Sequence, residues 1–281
     1  MRNQVSLLRP GANATLEAYF ERVGYQGTTA PTLETLRALN ERHTQRIAFE
    51  NLDPFLGRPV RLDLASLEQK LVHEGRGGYC FEHNLFFAHI LRTLGFEVTG
   101  LAARVLWNQA DDAITARSHM LLRVEVGGAS YLADTGFGAM TPTAPLLLQA
   151  DIEQPTPHET FRLKAFGDEF LLQGQVDAGW KTLYRFGLQE QLPPDYEVAN
   201  WYVSSHPQSR FVTGLTAARP APGGRYTLRD TELAIHDTGG GTERRKLANP
   251  AALRAVLQDH FQLRLPEAPG MDARLEQLWA A

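Results

Sequence analysis

The sequence predicts an α+β protein: a helical N-terminal segment, a middle segment of short antiparallel strands, and a mixed C-terminal segment. Three observations carry that reading. Between Asn13 and Leu94 apolar residues recur at helical spacing. From Phe96 to Phe186 they fall into short runs separated by turns, the strongest alternating with a period of two. Beyond Pro193-Pro194 a helical pattern is followed by further strands and a last helix.

Taken in order, Leu16, Tyr19, Phe20 and Val23 form an apolar stripe that ends at Gly24. Pro31-Thr32-Leu33 opens a second helix carrying Leu33, Leu36 and Leu39. The stretch Ile47 to Pro54 is a break with proline at its end. Ser66 to Val72 reads as a third, short helix. Phe81, Leu85, Phe86, Ile90, Leu91 and Leu94 mark a fourth, with Gly95 at its C-cap. Phe96 to Trp107 then reads as a strand. In His119 to Val126 the even positions are apolar, and Gly127-Gly128 turns the chain into Tyr131–Asp134. Strand-like pieces follow at Phe161–Leu163, Phe170–Gln173 and Trp180–Phe186, giving an antiparallel sheet or barrel. Gln191 to Asp195 marks a boundary, and Tyr196 to Ser205 a helix. Phe211–Ala217, Tyr226–Arg229 and Glu232–His236 read as strands with glycine turns between and after them. Asn249 is an N-cap with Pro250 at the first helical position, opening a helix with Leu253, Val256, Leu257 and Phe261.

The chain has 281 residues and a formal charge of −4, long enough for a large core. Its mixed, mildly acidic charge gives no sign of a nucleic-acid surface, and Glu243-Arg244-Arg245-Lys246 reads as a solvated turn or strand end. No apolar run is long enough to span a bilayer, and Met1 to Pro10 has no apolar leader core; the expected setting is cytoplasmic, with no membrane partner. A single cysteine rules out an internal disulfide and a cysteine-rich metal site.

That cysteine sits in Arg76-Gly77-Gly78-Tyr79-Cys80-Phe81-Glu82-His83-Asn84, at or near the first turn of the fourth helix. Unpaired N–H groups and the positive end of the helix dipole favour a thiolate there, although a lone cysteine is also an ordinary small core residue. A nucleophile needs a base, and the base an orienting group. His119 heads the strongest strand pattern and Asp134 lies in the next strand. If the loop between them has an even number of residues, either Gly127-Gly128 or Gly127 to Ser130, paired positions sum to an odd number. His119 and Asp134 then share a face, and the contact offsets the cost of burying an aspartate. An odd loop would place them on opposite faces.

These stretches resemble the arylamine N-acetyltransferase family. The resemblance is carried by Arg76 to Asn84, by Phe49-Glu50-Asn51-Leu52, by Ser118-His119-Met120-Leu121-Leu122, by Tyr131 to Gly138, and by Ser205-His206-Pro207-Gln208-Ser209-Arg210-Phe211. It spans essentially the whole chain. Thr135 departs from it, standing where the family often has an aliphatic residue. The resemblance implies an N-terminal helical bundle (residues 1–95), a central antiparallel β-barrel (96–194) and a C-terminal α/β lid (195–281). It also implies a papain- or transglutaminase-like core with Cys80, His119 and Asp134 as the catalytic triad. Glu50 and Arg76 are implied as a structural pair bracing the site. Phe49, Tyr79, Phe137, Gly138 and Phe211 are implied as substrate-binding residues. Acetyl-CoA is the implied cosubstrate, with no metal; arylamines or hydrazines are the implied acceptors, in xenobiotic metabolism, and self-association as a homodimer is left open.

By the same resemblance, acetyl transfer proceeds in two half-reactions through acetyl-Cys80. The nearest rivals are an amide synthase with another acyl donor and a cysteine hydrolase or transglutaminase-like enzyme. A non-enzymatic binder of coenzyme A or arylamines is a further reading. So is an aspartic protease built on Asp134-Thr135-Gly136 and Asp237-Thr238-Gly239, although the second triplet reads as a hairpin turn.

Overall fold

The structure is a computed structural model and describes residues 10–176 and 179–280. The leader reading of Met1 to Pro10 therefore lies, up to Arg9, outside the described residues. The N-terminal segment folds as α1 (Pro10–Val23), α2 (Leu33–Arg46), a two-residue strand β1 (Phe49–Glu50), the single turn α3 (Leu52–Phe55), α4 (Leu64–Glu68) and α5 (Cys80–Thr93). The Thr32 hydroxyl caps α2 by accepting the Thr35 N–H, and the Asp63 carboxylate caps α4 through Ser66 N–H. Gly24 and Gly95 close their helices at φ +69° and +89°, where a side chain would be strained. The short helix read from Ser66 to Val72 changes pitch partway: after Glu68 it continues as a π-helical turn, Gln69–His73.

The middle segment supplies β2 (Glu97–Val105), β3 (Arg117–Val126), β4 (Ala129–Ala133), β5 (Leu146–Leu147), β6 (Glu153–Pro155), β7 (Thr160–Phe166), β8 (Glu169–Val176) and β9 (Gly179–Phe186). They form one antiparallel sheet in the order β5-β4-β3-β2-β9-β8-β7-β6, a nearly closed barrel. Its two ends are stitched by a side chain. The Gln154 amide accepts the Leu147 N–H at 2.7 Å and donates to the Leu147 carbonyl at 3.0 Å, standing in for a ladder pair. The interior is filled by Leu101, Leu121, Leu132, Leu146, Phe161, Leu163, Leu172, Tyr184 and Phe186. On the other face of β3, Met120, Leu122 and Val124 pack against Phe81, Phe86, Phe87 and Ile90 of α5. The alternation in β3 thus serves two cores, one per face.

The last segment is α6 (Pro193–Ser205), α7 (Arg210–Thr213), β10 (Thr216–Ala221), β11 (Gly224–Arg229), β12 (Glu232–Asp237), β13 (Thr242–Lys246), α8 (Pro250–Asp259) and α9 (Met271–Glu276). Its sheet begins with a strand from far earlier in the chain, in the order β1-β10-β11-β12-β13. Ala48, Leu52 and Phe55 share its core with Leu228, Leu253, Leu257 and Phe261. Two expectations need correction here. The helix read from Tyr196 begins at Pro193, because proline at a first helical position is already set at helical φ. The strand read over Phe211–Ala217 is a helical turn first: Ser209 accepts the Phe211 N–H and starts α7, and the strand runs only from Thr216. The basic run Glu243 to Lys246 is the exposed edge strand β13, where charge discourages edge-to-edge pairing.

Replacing Gln154 with alanine removes the stitch across the barrel seam. We expect a loss of about 1–2 kcal/mol in urea denaturation and faster hydrogen exchange at the Leu147 N–H. Unchanged exchange at Leu147 would show that the seam is held by something else.

Candidate active site

The site is built where the N-terminus of α5 meets the barrel mouth. The turn before Cys80 runs so close to the preceding strand that a Cβ on Gly77 would lie 2.0 Å from the Ala48 carbonyl oxygen. Gly77 and Gly78 both keep negative φ, so close approach, not a left-handed turn, is what selects glycine there. Glu82 accepts the Tyr79 N–H at 3.0 Å and so caps the helix that begins with Cys80. Cys80 is buried, and its sulfur lies 3.7 Å from the Ser118 carbonyl oxygen.

The β3–β4 hairpin turns through Gly127-Gly128 alone, both at positive φ, with Val126 paired to Ala129 and Leu122 to Ala133. The even loop puts His119 and Asp134 on one face. His119 Nε2 donates to Asp134 Oδ2 at 2.7 Å, and Cys80 is near enough to the ring to favour its charged form. With Nε2 engaged by Asp134, Nδ1 is the nitrogen left for sulfur. Asp134 takes three further hydrogen bonds: from Tyr184 Oη (3.0 Å), Asn84 Nδ2 (3.1 Å) and Gly136 N–H (2.9 Å). Burial opposes its ionisation, yet His119, with the Gly136 N–H and Asn84, holds its carboxyl below the usual range. Burial likewise opposes charge on His119, but Asp134 outweighs it, with a smaller contribution from Cys80, and raises the imidazole to about 10.

Two of these supports carry no role in the sequence reading. Asn84 lies four residues after Cys80, on the same face of α5, and that spacing is its one local signal. Its amide also donates to the Met120 carbonyl at 2.7 Å, and its oxygen accepts both the N–H and the hydroxyl of Thr135. The departure at Thr135 is thus absorbed by an extra hydrogen bond. Tyr184 has no local signal; it reaches Asp134 because β9 pairs with β2 across the barrel. Gly136 crosses directly over the helix start, where a Cβ would fall 2.7 Å from Cys80 Cα.

Behind the glycine turn, Glu50 and Arg76 do pair, Oε1 to the guanidinium at 3.0 Å, as part of a larger buried network. Arg76 also meets Asp53 at 3.2 Å; Lys70 bridges Asp53 (2.7 Å) and Glu82 (2.6 Å). Burial pushes the Glu82 carboxyl up to about 7 despite the pull of Lys70. Burial works against charge on Lys70 as well, but Glu82, Glu50 and Asp53 together hold its ammonium above the usual lysine value. The second Glu50 oxygen accepts the Leu52 N–H at 2.6 Å, so the network pins β1, α3, the π turn and α5 to one another.

The aromatic residues divide into two groups. Phe137 stands edge-on to His119 with ring centres 5.1 Å apart, and both touch Tyr184. Phe49, Tyr79 and Phe211 form the other group, with Phe211 5.9 Å from Phe49 and 5.4 Å from Tyr79; Gly138, at φ +85°, passes beside Phe49. Phe211 is carried there by Asn51, whose amide donates to the carbonyls of Phe211 and Gly214 and accepts the Thr216 N–H. A cleft of about 400 Å³ opens alongside, between α6 and the head of β3, with Phe81, Ser118, Tyr196 and Tyr202 in its walls. Asp237 of the second Asp-Thr-Gly triplet is exposed at the end of β12, whereas Asp134 is committed to His119, so the two carboxylates share no proton.

The paired state has a pH signature. His119 titrates higher when folded, so its stabilisation is fully present below the unfolded value of 6.5 and is lost as pH rises through about 10. Urea titrations should show the stability margin of the wild type over His119→Gln largest below pH 6.5 and shrinking towards pH 10. A margin that grows with pH would contradict the pairing.

Comparison with known proteins places this arrangement. An N-acetyltransferase family model matches residues 32–269. The arylamine N-acetyltransferase of Mycobacterium tuberculosis is 45% identical over 272 residues, covering 94% of this chain and 96% of that protein. That of Escherichia coli is 42% identical over 254 residues, 90% of each. The structure of the Mycobacterium marinum arylamine N-acetyltransferase in complex with CoA superimposes with a TM-score of 0.90 at 43% identity, covering 94% of this chain and 99% of that one. With the motifs, the fold and full-length similarity in agreement, the chain belongs to the arylamine N-acetyltransferase family of acyltransferases.

Proposed function

We propose that this protein transfers the acetyl group of acetyl-CoA to arylamines or arylhydrazines, with Cys80 as nucleophile, His119 as acid–base and Asp134 as orienting carboxylate. The observation that carries this reading is the buried Cys80–His119–Asp134 line at a helix N-terminus, in a chain whose relatives bear the corresponding name. The CoA complex of the M. marinum relative supports acetyl-CoA as cosubstrate. The setting we propose is the cytoplasm, with a role in xenobiotic metabolism. Among the described residues no helix is long and apolar enough to cross a membrane.

In the first half-reaction the Cys80 thiolate, paired with the His119 imidazolium, attacks the thioester carbonyl carbon. The first N–H groups of α5 have no carbonyl one turn earlier to bond, and lie next to the oxyanion that forms. Collapse breaks the C–S bond to coenzyme A, whose sulfur takes the proton from His119. Acetylation then removes negative charge from Cys80, and with it the sulfur's share of the pull that keeps His119 protonated. The ring is now free to accept a proton as the amine nitrogen attacks acetyl-Cys80. Cys80 leaves as the thiolate and the amide is released. Phe137 beside His119, and the group of Phe49, Tyr79, Gly138 and Phe211, are the aromatic surfaces we assign to the acceptor.

Steady-state rates with acetyl-CoA and an arylamine varied together should give parallel double-reciprocal lines, with amide as product. Free acetate without amide would support the hydrolase reading instead. Asp134→Asn, which leaves the shape but not the charge, should lower the rate of acetylation by about a hundredfold or more; a rate within a few-fold of wild type would remove Asp134 from the mechanism.

A further inference from the structure

Three helices of the N-terminal bundle are joined by a buried line of polar groups that the transfer chemistry leaves unused. Tyr19 of α1, His43 of α2 and His83 of α5 are all fully buried. Tyr19 Oη lies 3.1 Å from His43 Nδ1, and His43 Nε2 lies 2.9 Å from His83 Nδ1. His83 Nε2 ends the line, 3.1 Å from the Gly78 carbonyl oxygen and 3.2 Å from that of Ala48.

The proton positions follow from one end. Carbonyl oxygens only accept, so His83 Nε2 carries hydrogen. In a neutral ring its Nδ1 is then an acceptor, and the nitrogen facing it, His43 Nε2, must donate. His43 Nδ1 is left as an acceptor, and the Tyr19 hydroxyl donates to it. With both rings neutral one assignment satisfies every polar atom in the line; a second proton on His83 would set N–H against N–H, and one on His43 Nδ1 would turn the Tyr19 hydroxyl from donor to acceptor. Burial favours the neutral rings: it pushes His83 down to about 4, with Lys70 adding to the push and Glu50 opposing it. It pushes His43 well down as well, helped by His83 and Arg22.

We propose that this one-way chain fixes the turn that presents Cys80, and that His83 is a positioning residue for acetyl transfer. The chain ends where two segments cross. Phe49 and Gly78 form an isolated parallel bridge, in which Gly78 O accepts the Glu50 N–H at 2.7 Å and Ala48 O accepts the Gly78 N–H at 3.3 Å. The His83 N–H sits between those two carbonyls, one from each segment, and belongs to the helix that starts with Cys80. It therefore ties β1, which carries Phe49 and Glu50, to the glycine turn and to α5. Tyr19 and His43 extend that tie into the bundle core and hold the His83 ring in the required tautomer.

The inference rests on Cys80 being the acetylated nucleophile. Two variants separate a donor role from simple packing. In His83→Gln the amide can still donate to the two carbonyls and accept from His43; Cys80 acetylation in a rapid-quench experiment should stay within about threefold of wild type. In His83→Leu the Ala48 and Gly78 carbonyls each lose one of their two donors, and the buried His43 N–H loses its acceptor. Acetylation should slow by about 10- to 100-fold, with the KM for arylamine changed far less. A folded Leu variant as fast as wild type, or a Gln variant as slow as the Leu variant, overturns the proposal. Nitrogen-15 NMR of histidine-labelled wild-type protein gives a reading that needs no variant. His43 and His83 should both stay neutral with the proton on Nε2 from about pH 5 to about pH 9. Titration of either ring in that range, or a proton on Nδ1, overturns the chain. If wild-type Cys80 takes no acetyl group at all, it is the functional reading that fails, and the NMR result still decides the chain.

Discussion

The structure depends on burying one carboxylate. Asp134 is 1% exposed at the mouth of the barrel, and an ionised carboxylate there costs several kcal/mol unless its oxygens are occupied by donors. Four donors do this, and each comes from a different place: His119 from β3, Tyr184 from β9, Asn84 from α5 and the Gly136 N–H from the loop itself. Satisfying Asp134 therefore forces the helical bundle, the hairpin and the far side of the barrel to converge on one point. Cys80 is carried to that point by the helix that also carries Asn84. The glycine at 136 is what lets the loop and the helix start touch.

A second constraint works from behind. The Glu50–Arg76–Asp53–Lys70–Glu82 network occupies the opposite side of the glycine turn and ends on the Tyr79 N–H. Removing one member of such a network leaves its partner charged and buried, a cost of about 3–5 kcal/mol. The network thus holds the turn by making its alternatives expensive. The neutral line through Tyr19, His43 and His83 reaches the same turn by hydrogen bonds without charge. Charge on one side and neutral donors on the other leave Cys80 little freedom.

How much of this was legible in the chain differs from residue to residue. The His119–Asp134 contact was legible on the condition of an even loop, because parity fixes the face, and the two-residue turn meets that condition. The helix start at Cys80 was, from the apolar spacing that follows it. Asn84 was half legible, as the residue one helical turn on. Tyr184 was not: it is fifty residues from Asp134, and barrel closure alone brings it there. Of the charged network only the Glu50–Arg76 pair was legible, through the resemblance; Asp53 and Lys70, one in the break that ends at Pro54 and one in the short helix read from Ser66 to Val72, gave no sign of joining it. The error at Phe211 has a plain cause. Its apolar run looks like a strand, but the Ser209 hydroxyl accepts the Phe211 N–H and the Asn51 amide, from far earlier in the chain, donates to the Phe211 carbonyl, and between them they hold a helical turn. What the acyl donor and acceptor are was legible through family resemblance alone; no spacing in the chain encodes coenzyme A.

The central claim is that Cys80 becomes acetylated and then hands the acetyl group to an amine. Intact-mass spectrometry after mixing with acetyl-CoA tests it most directly. The account predicts a single acetyl addition on the wild type, absent in Cys80→Ala and discharged when an arylamine is added. A wild-type protein that stays unmodified, or an acetyl group that persists in Cys80→Ala, would contradict it.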